Sequence, residues 1–132
     1  MPNRVSHFEI QAENPERCIE FYKKCFDWEF QLWEGGQMKY WMVMTGKPDE
    51  AGGINGGLLP RNGGTPENGA SVNAYVCTLT VDNYDDIHAK IMANGGTVAS
   101  PKMALVGMAW QGYYKDTEGN IFGIHQADVN AK

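Results

Sequence analysis

The feature that most narrows what this chain can become is that one order of apolar runs and turn residues occurs twice along it. From Arg4 to Ala12 the residues alternate, with Phe8 and Ile10 on one face and Val5, His7 and Glu9 on the other, which predicts a strand with one side against a core. A helix is expected to follow at once. Asn14 suits an N-cap, Pro15 the first helical position and Glu16 the positive end of the helix dipole, while Cys18, Phe21, Tyr22, Cys25 and Phe26 form an apolar stripe. Three β-like runs come next, Trp28 to Glu34, Met38 to Thr45 and Gly53 to Pro60, broken by Gly35-Gly36 and by Gly46-Lys47-Pro48-Asp49. Beyond the polar linker that starts at Arg61 the order returns. It runs as a strand from Val72 to Val81, a helix opened by Asn83 with Tyr84, Ile87 and Ile91 inward, a Gly95-Gly96 stop, and strands at Thr97 to Ser100, Ala109 to Lys115 and Ile121 to Gln126. A shift of about 69 residues lays Phe8 on Cys77 and Ile10 on Leu79.

The expected fold class is therefore α+β, as two tandem β-α-β-β-β modules. The modules are placed at about 4–60 and 71–128, with a linker at 61–70, in one domain of 132 residues. With 42% hydrophobic and 20% charged residues the chain reads as an ordinary globular protein rather than a disordered one. A net charge of -5 argues against nucleic acid as a partner, because binding a phosphate backbone depends on clustered Lys and Arg. No apolar stretch reaches bilayer-spanning length and no signal segment is evident, so the reading is cytoplasmic, without a membrane partner. The three cysteines, Cys18, Cys25 and Cys77, are read as reduced, buried thiols, since the first two would lie about 10 Å apart along one helix.

Several motifs carry a resemblance. Val5-Ser6-His7-Phe8-Glu9-Ile10 leading into Asn14-Pro15-Glu16-Arg17 and Phe21-Tyr22, the run Gly52-Gly53-Ile54-Asn55-Gly56-Gly57, and Lys115-Asp116-Thr117-Glu118-Gly119-Asn120-Ile121-Phe122-Gly123 together resemble the vicinal oxygen chelate superfamily. That superfamily contains the glyoxalases, the bleomycin-resistance proteins and the extradiol dioxygenases. The resemblance implies paired modules whose curled mixed sheets enclose a cavity, a small-molecule ligand and a homodimer. In the metal-dependent members it also implies a divalent ion held by His or Gln on the first strand and Glu on the last strand of each module. Here His7 stands at the first of these positions, Val76 or Thr78 at its counterpart, and Gly57 and Gly123 where the two Glu residues belong. One donor of four is left, whereas a catalytic divalent site takes at least three.

Alternation puts His125 on the same face as Gly123, and Glu9 on that of His7. His7, Glu9 and His125 would make a two-histidine, one-carboxylate set, although residues two apart on a strand are separated by about 6.5 Å. The other reading makes His7 and His125 hydrogen-bonding groups that line a pocket or an interface. Tyr40, Trp41, Trp110, Tyr113 and Tyr114 lie on the third strand of each module, and alternation permits Trp41 and Trp110 to face inward together as pocket walls. The expected ligand-binding residues are thus His7, Trp41, Trp110 and His125, with no metal and no cofactor. His88 is expected to face solvent and Asp116 to serve its turn. Two functions remain open at this level. One is a metal-free protein that binds a small apolar or aromatic molecule; the other is a metal-dependent glyoxalase-like lyase or dioxygenase-like enzyme rebuilt around His7.

Overall fold

Both helices begin as their local sequence dictates. The computed structural model describes residues 3–67, 75–118 and 120–132. Asn14 accepts a hydrogen bond from the Arg17 amide at 3.0 Å and opens α1 (Pro15–Phe26), and Asn83 accepts from the Asp86 amide at 3.0 Å and opens α2 (Tyr84–Ala93). Gly95 stops α2 at a φ of 93°, with the Gly96 amide bonded back to the Ile91 carbonyl. The helices stand among eight strands in the described residues: β1 (Arg4–Ala12), β2 (Glu29–Trp33), β3 (Tyr40–Met44), β4 (Gly56–Pro60), β5 (Val76–Thr80), β6 (Thr97–Leu105), β7 (Ala109–Lys115) and β8 (Ile121–Ala127). The α+β class and the doubled β-α-β-β-β order are those read from the sequence.

The chain forms two compact units, His7–Tyr75 and a second made of Met1–Ser6 with Val76–Lys132. In the first, β1 runs parallel to β4, and β4, β3 and β2 follow antiparallel. In the second, β5 runs parallel to β8, and β8, β7 and β6 follow antiparallel. The registers match as well: Glu9 lies opposite Gly57 and Thr78 opposite Gly123. Thr78 therefore answers to Glu9, and the counterpart of His7 is Val76.

Each unit has its own core beneath its helix. Phe8, Ile10, Ala12, Val43 and Leu58 are buried in the first, with Cys18, Ile19, Tyr22 and Trp41 packed against them. Val81, Tyr84, Tyr114 and Ile124 are buried in the second, with Ile87, Ile91, Trp110 and Phe122 alongside. The stripe on α1 is narrower than its sequence suggests. Cys18, Ile19 and Tyr22 meet the sheet, while Phe21 and Phe26 are exposed, Phe21 edge-on to Tyr22 and to Phe26, and Phe26 tilted against Tyr22. Cys25 is exposed too, and Cys18 and Cys77 are half-buried, so the expectation of buried thiols is corrected; all three are free.

Strand ends differ from the sequence reading where backbone conformation intervenes. The third apolar run pairs only from Gly56, because Gly52 and Gly53 adopt φ of 84° and 71° and turn the chain first. β6 continues past Ser100 to Leu105 by shifting register twice around Pro101, a residue that cannot donate to a ladder. The expected start of a strand at Val72 and residues 68–70 of the linker lie outside the described residues, as does Gly119 of the 116–120 turn. In that turn Asp116 accepts from the amides of Glu118 and Asn120, which is the turn role expected of it. Among the described residues no helix is long and apolar enough to cross a membrane.

Candidate functional site

Since Phe8, Ile10 and Ala12 point under α1, alternation sends His7 and Glu9 to the opposite face of β1. There His7 Nε2 lies 2.8 Å from the Tyr40 hydroxyl, which reaches across from β3. The phenol comes that far because residue 57 has no side chain. A β-carbon on Gly57 would fall 1.8 Å from the Tyr40 hydroxyl and 2.1 Å from its Cζ. The tyrosine thus occupies the volume in which the resemblance would place a carboxylate. Burial holds the His7 imidazole below its ordinary pKa, with the Glu9 carboxylate acting in the other direction.

That depression has a measurable consequence. The unfolded chain takes up a proton at His7 near pH 6.5 and the folded protein only at lower pH, so this contribution to stability is complete above about pH 6.5 and is lost as pH falls through that value toward the folded pKa. Melting temperature should therefore drop less steeply between pH 7 and pH 5 in His7→Gln than in the parent protein. Superimposable pH profiles would show that His7 does not contribute.

The second unit repeats the arrangement with other groups. On the strand face away from α2, His125 Nδ1 lies 2.8 Å from Gln111 Oε1, and an amide oxygen only accepts, so Nδ1 carries the hydrogen. A β-carbon on Gly123 would fall 2.7 Å from Thr78 Oγ1, 2.9 Å from Gln111 Nε2 and 3.1 Å from Tyr113 Cε1. Here too, neighbouring polar side chains take the room of the missing residue. Among the described residues no group of three His, Cys, Asp or Glu side chains is placed to hold a metal ion. The first-strand and last-strand positions offer His7 with glycine in one unit and valine with glycine in the other, a poor donor set for a divalent cation.

The indoles lie elsewhere. Trp41 pairs with Leu58 and packs against the core under α1, the face opposite His7. Trp110 packs against the core under α2, with its Nε1 donating to Asp128 Oδ2 at 3.0 Å, on the face opposite His125 and Gln111. The expectation that both turn to the same side as the imidazoles is corrected by this register. His88 is also corrected: it is half-buried, with Nδ1 2.8 Å from the Tyr114 hydroxyl, which in turn donates to the Tyr84 hydroxyl at 3.0 Å.

A cleft of about 420 Å³ beside α1 includes Arg17, Phe21, Tyr22 and Arg61, and one of about 220 Å³ beside α2 includes His88, Lys102 and Tyr114. Both are on the helix sides, and neither contains His7 or His125. Tyr40, Thr78 and Gln111 are the site residues that sequence reasoning did not assign. The available signal was the glycine at 57 and at 123, each of which leaves space that a neighbouring strand must fill.

In structure, the chain is similar to methylmalonyl-CoA epimerase in complex with methylmalonyl-CoA and NH4+, with a TM-score of 0.62, 18% identity and 100% of both chains covered. It is similar also to the Streptomyces coelicolor methylmalonyl-CoA epimerase in complex with 2-nitronate-propionyl-CoA, with a TM-score of 0.62, 16% identity, and 100% of this chain and 99% of the other covered. A glyoxalase/bleomycin resistance protein/dioxygenase superfamily member from Vibrio splendidus gives a TM-score of 0.62 at 12% identity, over 94% of this chain and 98% of the other. At such identities the likeness is one of fold. No curated protein matches the sequence. Residues 4–124 match the family described as the Glyoxalase/Bleomycin resistance protein/Dioxygenase superfamily. With that match over nearly the whole chain and the doubled β-α-β-β-β order beneath it, the protein belongs to this superfamily.

Proposed function

We propose that the protein binds a small, largely apolar or aromatic molecule on the strand face away from α1, with His7 as a hydrogen-bonding group and without a divalent ion; His125, on the corresponding face of the other unit, is a ligand-binding residue there in its own right. The observation that carries this reading is the Tyr40 phenol above Gly57, bonded to His7. It puts a neutral aromatic hydroxyl where a metal site needs a charged ligand, and such a surface suits a flat organic body with one polar handle. Trp33 adds to that surface, with its ring centroid 6.2 Å from that of Tyr40 in an edge-on contact. Trp41 and Trp110 enter the reading as packing residues. A homodimer belongs to it, since Met38 and Met42 leave apolar surface exposed that a second copy would cover. Work in the cytoplasm fits the three free thiols.

The test uses 2-naphthol, a flat aromatic with a single hydroxyl, titrated against the purified protein by calorimetry alongside elemental analysis. The expected result is saturable binding that His7→Ala weakens about tenfold, the value of one lost hydrogen bond with its packing, while chelators leave both binding and melting temperature unchanged. A stoichiometric divalent ion that His7→Ala removes would replace this reading with that of a metal-dependent lyase or dioxygenase-like enzyme.

A further inference from the structure

The cleft of about 420 Å³ beside α1 lies within the first unit and has the volume of a small-molecule site. Its lining is of two kinds. Ala12, Cys18, Phe21 and Tyr22 give it apolar surface, while Arg17 from α1 and Arg61 from the residue after β4 each bring a guanidinium. Phe21 is 55% exposed and stands edge-on to Tyr22 with ring centroids 5.2 Å apart, so an aromatic face is open to whatever enters. Arg17 makes no ion pair among the described residues, and the bond to the Asn14 cap comes from its backbone amide rather than its side chain. Arg61 is held across the end of β1, its Nη2 donating to the Gln11 carbonyl at 3.0 Å and its backbone amide to that of Ala12 at 2.9 Å. The one carboxylate in the lining, Glu13, accepts from Thr65 Oγ1 at 2.7 Å. Two guanidiniums against one carboxylate leave the cleft with an excess positive charge on a chain whose net charge is -5.

We infer that this cleft is a second binding site, for an organic monocarboxylate with an aromatic body. A carboxylate matches the planar fork of a guanidinium and balances the single excess charge, while the ring it carries lies against Phe21. A phosphate monoester would bring a second negative charge beside Glu13, and a neutral aromatic would leave the guanidiniums to water. The site is separate from the strand face that carries His7, which is not part of this lining.

2-Naphthoate and its neutral counterpart 2-naphthamide test it, titrated at low salt and neutral pH and followed by the backbone amide resonances of Arg17 and Phe21, which report this cleft. The expected result is saturable binding of the naphthoate, about fivefold tighter than that of the amide, as a partly solvated ion pair gives. Arg17→Gln should remove that advantage and leave the amide's affinity as it was, a split that a general loss of packing would not produce. Phe21→Ala should weaken both compounds, added salt the naphthoate alone, and His7→Ala neither. Equal affinities for the two compounds, an unchanged naphthoate affinity in Arg17→Gln, or no shift of these resonances would overturn the inference. Loss of naphthoate binding in His7→Ala would overturn it too and move the acid to the strand face, whereas failure of 2-naphthol to bind there leaves this cleft untouched.

Discussion

Gly112→Ala should destabilise the protein by about 3 kcal/mol, measured by urea unfolding, the upper end of what overpacking a core usually does. A β-carbon at residue 112 would lie 1.8 Å from the Tyr84 hydroxyl, so the ring has to shift. Tyr84 is 1% exposed, its backbone amide is held by Gln126 Oε1 at 2.6 Å, and its hydroxyl accepts from Tyr114, which is tied to His88. Moving the ring breaks that chain and opens the core under α2. Tyr84→Phe placed on top of Gly112→Ala should recover part of the loss, because the hydroxyl is what collides; Cζ, at 3.0 Å, remains tight. A Gly112→Ala protein as stable as the parent would refute this account of the packing.

Gly57→Ala meets the same 1.8 Å collision, with the Tyr40 hydroxyl, yet the outcome should be of another kind. Tyr40 is half-buried and sits on a strand face rather than in a core, so its ring is able to swing away at a stability loss of about 1 kcal/mol. What disappears is the 2.8 Å contact to His7 and the aromatic surface beside it. Binding of 2-naphthol should fall about a hundredfold, close to 3 kcal/mol. Retention of full affinity would remove Tyr40 from the binding surface.

The elements whose signals are local could be read from the chain directly. Asn14 and Asn83 cap helices that begin at the next residue, and β7 spans Ala109 to Lys115 as its alternation and flanking turns indicate. What escaped depends on partners far away in sequence. β3 reads Tyr-Trp-Met-Val-Met, large and apolar at every position, so period two defines two faces without saying which is inward. Only the pairing of Trp41 with Leu58 decides it. His88 likewise carries no local sign of its tie to Tyr114, 26 residues on. The glycines at 57 and 123 were visible as missing metal donors, but that Tyr40, Thr78 and Gln111 fill the space could be known only from register and rotamer.

The phenol seated above Gly57 also orders the substitutions by which this site could change. A glutamate introduced at position 57 alone meets the Tyr40 ring before its carboxyl group reaches anything, so the direct step toward a charged ligand is an obstructed one. Loss of the tyrosine has to come first, and by itself it leaves His7 without its partner and the proposed binding surface without its ring. Either order passes through an intermediate worse than its starting point. The two residues are therefore coupled: while the Tyr40 ring occupies this volume, a carboxylate side chain at position 57 requires a second change at position 40.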